Sequence, residues 1–218
     1  MSATQILAWP EANQRYLMAA VGLVRSALER HMRKTKDDAS SNEPDSATEE
    51  ALQEAAKAMP APPALATLCA AFRLSPFERD VILLCAGIEL DSAFAASCAA
   101  AHGDARKVHP TFSLALATLP DAHWSALAPS GSLRRWRLIE LTGNEGLVAA
   151  PLRIDERVLH FLTGINHLDD RLQPLLEPVA APDDLPPSQV EVAERIAQLL
   201  AKSENQIPPI VQLCGPAD

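Results

Sequence analysis

The stretch LSPFERDVILLCAGIELD, residues 74–91, constrains the fold more than any other in this chain. Ser75, Pro76 and Glu78 have the spacing of a capping box. The serine oxygen can accept a free first-turn N–H, the proline suits the first helical position, and the glutamate can reach back to the serine N–H. The helix opened this way is expected to bury Phe77, Val81, Leu84, Cys85 and Ile88. Other short capped segments surround it. Leu65, Leu68, Cys69 and Phe72 recur at i, i+3, i+4 and i+7, a compact amphipathic helix. Asp91 stands where it can cap an alanine-rich helix that fades at HGD. Thr111 can cap FSLALATL, which Pro120 closes. Eighteen prolines, eight glycines and 4% aromatics fit helices and stiff connections better than a β-sandwich.

Upstream, residues 11–34 read as a long helix. Leu17, Ala20, Val21, Val24, Ala27 and Leu28 form its apolar stripe, with Arg15, Arg25, Glu29 and Arg30 off it. The polar, acidic KTKDDASSNEPDSATEE reads as a linker, and a short helix from Thr48 to Met59 is ended by PAPP. Downstream, the period changes. SLRRWRLIEL and LVAAPLRI are strand-like, and TGNEG between them marks a hairpin loop. This puts Arg134, Arg135, Trp136 and Arg137 on the first strand of a wing. Asp155 caps a last helix holding Val158, Leu159 and Leu162, stopped by Gly164. Short helices followed by a two-stranded hairpin outline a winged helix.

Five prolines in PLLEPVAAPDDLPP make a stiff linker. Beyond it, Ser188 and Glu191 have capping-box spacing before Val192, Ile196, Leu199 and Leu200. Ile210, Val211 and Leu213 read as a buried strand running into Gly215-Pro216, as at the entry to a phosphate-binding loop. The expected organisation is an N-terminal helix (1–34), an acidic, proline-containing linker with a short helix (35–63), a winged-helix-like domain (64–173), a proline-rich linker (174–187) and the start of an α/β module (188–218). The fold class is mainly α with a small β-hairpin, followed by the first helix and strand of that module.

A formal charge of −9 and a pI near 5.1 argue against non-specific affinity for nucleic acid or acidic membranes. No stretch reaches membrane-spanning length, and the first residues lack the order of a signal peptide, so a soluble, cytoplasmic protein is expected. Cys69, Cys85, Cys98 and Cys214 sit in apolar stretches with no C-x-x-C, and the six histidines are dispersed, so no metal site is expected. Hydrolase motifs are absent. Asp169-Asp170 and Asp183-Asp184 point apart in extended chain and read as solvated charge. Arg134, Arg135 and Arg137 are the densest basic cluster. They read either as a DNA-contacting wing or as a solvated strand edge pairing with Glu140, Glu145 or Glu156. Residues 64–165 hold nine Lys/Arg against ten Asp/Glu. The helix before the wing, TFSLALATLPDAHWS, has no Arg, Lys, Asn or Gln to read bases. Both facts favour a protein contact over DNA.

Taken in order, ANQRYLMAAVGLVRSALER, FRLSPFERDVILLCAGIELD, HPTFSLALATL, SLRRWRLIEL, PLRIDERVLHFLTG and the closing VQLCGP resemble the N-terminal winged-helix region of a bacterial AAA+ ATPase family. Its members are often found with phage-tail-like contractile injection systems. The resemblance implies that the chain stops at the start of a first ATPase-like module. Gly215 would then open an incomplete phosphate loop, since the motif's lysine and hydroxyl residue are absent. It further implies no catalytic residue and no cofactor here. ATP and magnesium would belong to the parent ATPase, which would self-assemble through its ATPase modules. The role implied is an adaptor that links a partner or substrate protein to the motor, without a membrane. The alternative is a DNA-binding winged-helix regulator.

Overall fold

The computed structural model describes residues 3–35, 46–166, 172, 175, 184–201 and 209–214. In chain order the elements are α1 (Ala3–Thr35), α2 (Ser46–Lys57), α3 (Ala64–Phe72), α4 (Pro76–Leu90), α5 (Phe94–His102) and α6 (Phe112–Thr118). A 3₁₀ turn (Trp124–Leu127) follows, then α7 (Ser132–Arg135), β1 (Ile139–Leu141), β2 (Leu152–Ile154), α8 (Glu156–Leu162) and α9 (Pro187–Ala201). The chain divides into two compact units, Met1–Asp169 and Asp170–Asp218.

α4 organises the first unit. The capping box is present in both directions: Ser75 Oγ accepts from Glu78 N at 3.1 Å, and Glu78 Oε2 accepts from Ser75 N at 2.9 Å. Every residue from Asp80 to Gly87 is buried, so the helix is enclosed on all sides rather than on the single stripe its spacing predicts. Ile82, Leu83 and Ala86 join the expected Phe77, Val81, Leu84 and Cys85 in the core, whereas Ile88 is only partly buried. α1, α5 and β2 pack against α4. α1 enters through its predicted stripe, all six residues of which are buried.

One buried polar side chain fastens α1 at two further points. Asn13 Nδ2 donates to Leu162 O at 2.9 Å, and its Oδ1 accepts from Ala64 N at 2.9 Å. It thereby satisfies an orphan N–H at the start of α3 and a carbonyl at the end of α8. Arg25 adds an ion pair to Asp91 at 2.7 Å. Asp91 also opens α5 through a turn in which its Oδ1 accepts from Ala93 N at 2.9 Å, although the cap position itself is Ala93. α2 spans Ser46–Lys57 instead of Thr48–Met59 and buries no side chain fully.

The hairpin is shorter than expected. β1 and β2 pair antiparallel over three residues each, Ile139 with Ile154, Glu140 with Arg153 and Leu141 with Leu152. Residues 132–137 do not join the strand: Ser132–Arg135 form one helical turn. The cause is a helix-ending motif. Leu138 N donates to Leu133 O at 2.9 Å, Arg137 N donates to Arg134 O at 3.2 Å, and Arg137 itself has φ 51°. This is a Schellman closure, in which the two flanking apolar residues, here the buried Leu133 and Leu138, come together. Arg134, Arg135, Trp136 and Arg137 therefore lie on a turn of helix and its exit, not on a wing strand.

In the second unit, α9 begins at Pro187. Pro186 O accepts from Gln189 N and Val190 N at 2.8 and 3.1 Å, so Ser188 sits inside the first turn and not at the cap. Pro187 takes the first helical position, where its missing N–H is harmless. Of the expected apolar face, Val192, Leu199 and Leu200 are exposed. Ile210, Val211 and Leu213 form no strand, and Ile210 is 99% exposed. A strand needs a neighbouring ladder, and none is offered to these residues among those described. The acidic stretch 36–45, residues 176–183 of the proline-rich stretch and Gly215 lie outside the described residues.

Gly87 tests the enclosure of α4. A Cβ there would meet the Phe94 ring at 2.6 Å, and Phe94 is fully buried. Gly87→Ala is expected to destabilise the fold by about 1–3 kcal/mol through overpacking, despite the better helix propensity of alanine. A melting temperature equal to or above that of the parent chain would show that α5 does not press on α4 as described.

Candidate functional site

Four helices of the first unit end in the same way. The N–H that follows the left-handed residue reaches back five residues, and the left-handed residue's own N–H makes the shorter companion bond three residues back. For α5 and α8 the residue at the left-handed position is Gly103 (φ 66°) or Gly164 (φ 88°). For α3 and α7 it is an arginine, Arg73 or Arg137, each with φ 51°. Leu74 N donates to Cys69 O at 3.0 Å and Arg73 N to Ala70 O at 3.4 Å, repeating the pattern of Leu138 and Arg137. A side chain in this conformation costs roughly 1 kcal/mol, which glycine would avoid.

The two arginine-bearing ends meet. Each arginine follows an aromatic residue, and Phe72 and Trp136 are in ring contact at 5.8 Å with a 54° tilt. Ser132 Oγ donates to Phe72 O at 3.1 Å and joins the start of α7 to the end of α3. The Arg135 guanidinium lies 5.1 Å from the Trp136 ring centroid, a cation–π contact. Arg134 is different: its Nη1 donates to Leu127 O at 2.9 Å and ties α7 to the 3₁₀ turn. Trp136 remains 52% exposed. The expected partners of these arginines do not pair with them. Neither Glu140 nor Glu145 reaches an arginine of this cluster within 4.0 Å, and Glu156 Oε1 lies 3.6 Å from His160 Nε2 instead.

Sequence reasoning thus found Arg134, Arg135, Trp136 and Arg137 but placed them on the wrong element. It missed Phe72 as a ring partner and Arg73 entirely. A Leu-x₄-Leu spacing at Leu133 and Leu138, echoed by Cys69 and Leu74, is the signal that could have revealed both helix ends. The helix that directly precedes the hairpin is α7, which carries two arginines, and not α6. α6 is largely buried, with Phe112, Leu114 and Ala115 in the core, and Thr111 caps it by accepting from Leu114 N at 3.1 Å.

A family model described as winged helix domain, variant, matches residues 10–176. The chain belongs to the variant winged-helix domain family. No curated protein and no solved structure matches it. The matched span of the winged-helix domain includes most of α1, from Pro10 onward, and the whole of α2, in keeping with a core that α1 shares. Winged-helix domains are contact modules for protein or DNA. No helix among the described residues is long and apolar enough to cross a membrane, and no cluster of three metal-ligating side chains occurs there.

Elsewhere in the domain the polar chemistry is structural. Ser75 Oγ lies 2.8 Å from His123 Nε2, and His123 Nδ1 lies 2.8 Å from Ser125 Oγ, which ties the 3₁₀ turn to the cap of α4. Burial holds the thiols of Cys85 and Cys98 protonated, that of Cys98 pushed up to about 12, so neither is a nucleophile. A cavity of about 220 Å³ between α1, α2 and α4 is lined in part by Arg30, Glu49, Arg79 and Asp80. Burial raises the Asp80 carboxyl above its usual range, and the Arg79 guanidinium, 2.7 Å away, opposes the rise.

The sign of that shift gives a test. A carboxyl whose folded pKa is raised adds stability fully below its unfolded value, near 3.8, and loses it as pH climbs through the folded value. Asp80→Asn removes this dependence. Its melting temperature relative to the parent chain should therefore rise as pH climbs from below 3.8 toward neutrality. A relative fall over that interval would mean that the Arg79 pairing, not burial, dominates at Asp80.

Proposed function

We propose that this chain is the non-catalytic N-terminal adaptor region of a AAA+ ATPase, in which the winged-helix domain engages a partner or substrate protein for the motor. The support for the parent is the ordered resemblance described above, which extends to a family often found with contractile injection systems. ATP and magnesium would act in the parent's ATPase modules, through which the parent would also self-assemble, in the cytoplasm. Gly215 would open the incomplete phosphate loop of the first ATPase-like module.

The observation that carries a protein partner over DNA is the disposition of the arginines. They gather around two aromatic rings at two helix ends, and α7 is a single turn, too short to lie along a major groove. The three arginines of this surface that have no carboxylate within 4.0 Å among the described residues, Arg73, Arg135 and Arg137, would give a salt slope of only about −3 on duplex DNA. Fluorescence anisotropy at physiological salt should show only weak, sequence-independent duplex binding. In the parent ATPase, Arg135→Glu with Arg137→Glu should impair partner-dependent work while basal ATP hydrolysis continues. A tight, sequence-selective duplex complex abolished by these changes would make the domain a transcriptional regulator instead.

A further inference from the structure

We infer that the joined ends of α3 and α7 form a docking ledge for an acidic, extended peptide segment that carries a proline ring. The inference rests on the protein-contact reading above and specifies its partner. Three observations point the same way. First, Arg73, Arg135 and Arg137 have no carboxylate within 4.0 Å among the described residues. Three acids near it in sequence are engaged elsewhere: Glu78 in the cap of α4, Asp80 with Arg79, and Asp155 with the first N–H groups of α8. A locally unpaired cationic cluster on a chain of charge −9 is complementary to carboxylates.

Second, Trp136 is half exposed although Phe72 and Arg135 already touch it. Exposed tryptophan beside arginine is the composition of binding hot spots, and a flat indole face accepts a proline ring at little entropic loss. Third, the ends of α5 and α8 use glycine at the left-handed position, whereas these two use arginine. A strained conformation kept at two touching places, both with the same cationic side chain, is what a selected contact surface leaves behind. Carboxylates of the segment would pair with Arg73 and Arg137, with its proline on Trp136.

The test uses the full 218-residue chain and a fluorescein-labelled peptide of glutamates flanking two prolines, read by anisotropy in 50 mM salt. Saturable binding is expected, weakened about tenfold by 0.5 M salt and about thirtyfold by Trp136→Ala. Arg73→Gly and Arg137→Gly should weaken binding while their melting temperatures stay level or rise, because glycine relieves the left-handed strain. That combination excludes simple unfolding. The inference fails if the peptide does not saturate, if a glutamine-for-glutamate peptide binds equally, or if oligothymidine binds more tightly than the acidic peptide. It also fails if the glycine variants bind unchanged. Partner-dependent work of the parent ATPase separates this from the adaptor reading. Peptide binding absent with that work still dependent on the domain would sink the ledge alone.

Discussion

A helix buried on every side has to be covered on every side, and that requirement at α4 shapes the rest of the domain. Residues 80–87 of α4 include no exposed position, so one neighbouring layer cannot suffice. α1, α5 and β2 supply the covering surfaces, and the Phe94 ring lies so close to Gly87 that no larger residue fits without movement. α1 is therefore an integral part of the winged-helix core. Asn13 reinforces this by joining the start of α3 and the end of α8 from within α1. With both carbonyl and N–H satisfied by one side chain, the start of α3 and the end of α8 are held in a fixed relation to the body of α1.

That rigidity gives the surface at α3 and α7 its meaning. The ends of these helices share a hydrogen bond from Ser132 to Phe72 O and a ring contact, and each backbone reverses through an arginine. The arginines project from a stiff frame, so little backbone ordering is left for a partner to impose. The same frame explains why the wing begins late. Chain that the hairpin would otherwise use is consumed by the helical turn Ser132–Arg135 and its exit, leaving three residues per strand.

Local chemistry was legible in the sequence, and distant pairing was not. Ser75, Thr111 and Asp155 each cap the helix predicted for them, because a cap depends on residues two or three positions away. The apolar stripe of α1 was equally readable from its period. Asn13 gave no signal, since its partners lie 51 and 149 residues away. Arg73 and Arg137 were invisible as helix ends because the usual marker there is glycine, and arginines between leucines imitate a strand. Ile210, Val211 and Leu213 show the opposite error: an apolar run predicts burial only where a neighbouring surface receives it.

The central claim is that α1, the core helix and the two arginine-bearing helix ends form one cooperative body. Native-state amide exchange on the chain tests it directly, by comparing Leu28 on α1 and Leu84 on α4 with Leu74 and Leu138, the bonded N–H groups at the two ends. The account predicts a single opening free energy for all four, equal to that of global unfolding. Exchange at Leu28, Leu74 or Leu138 through a separate, lower-energy opening, while Leu84 stays protected, would contradict it.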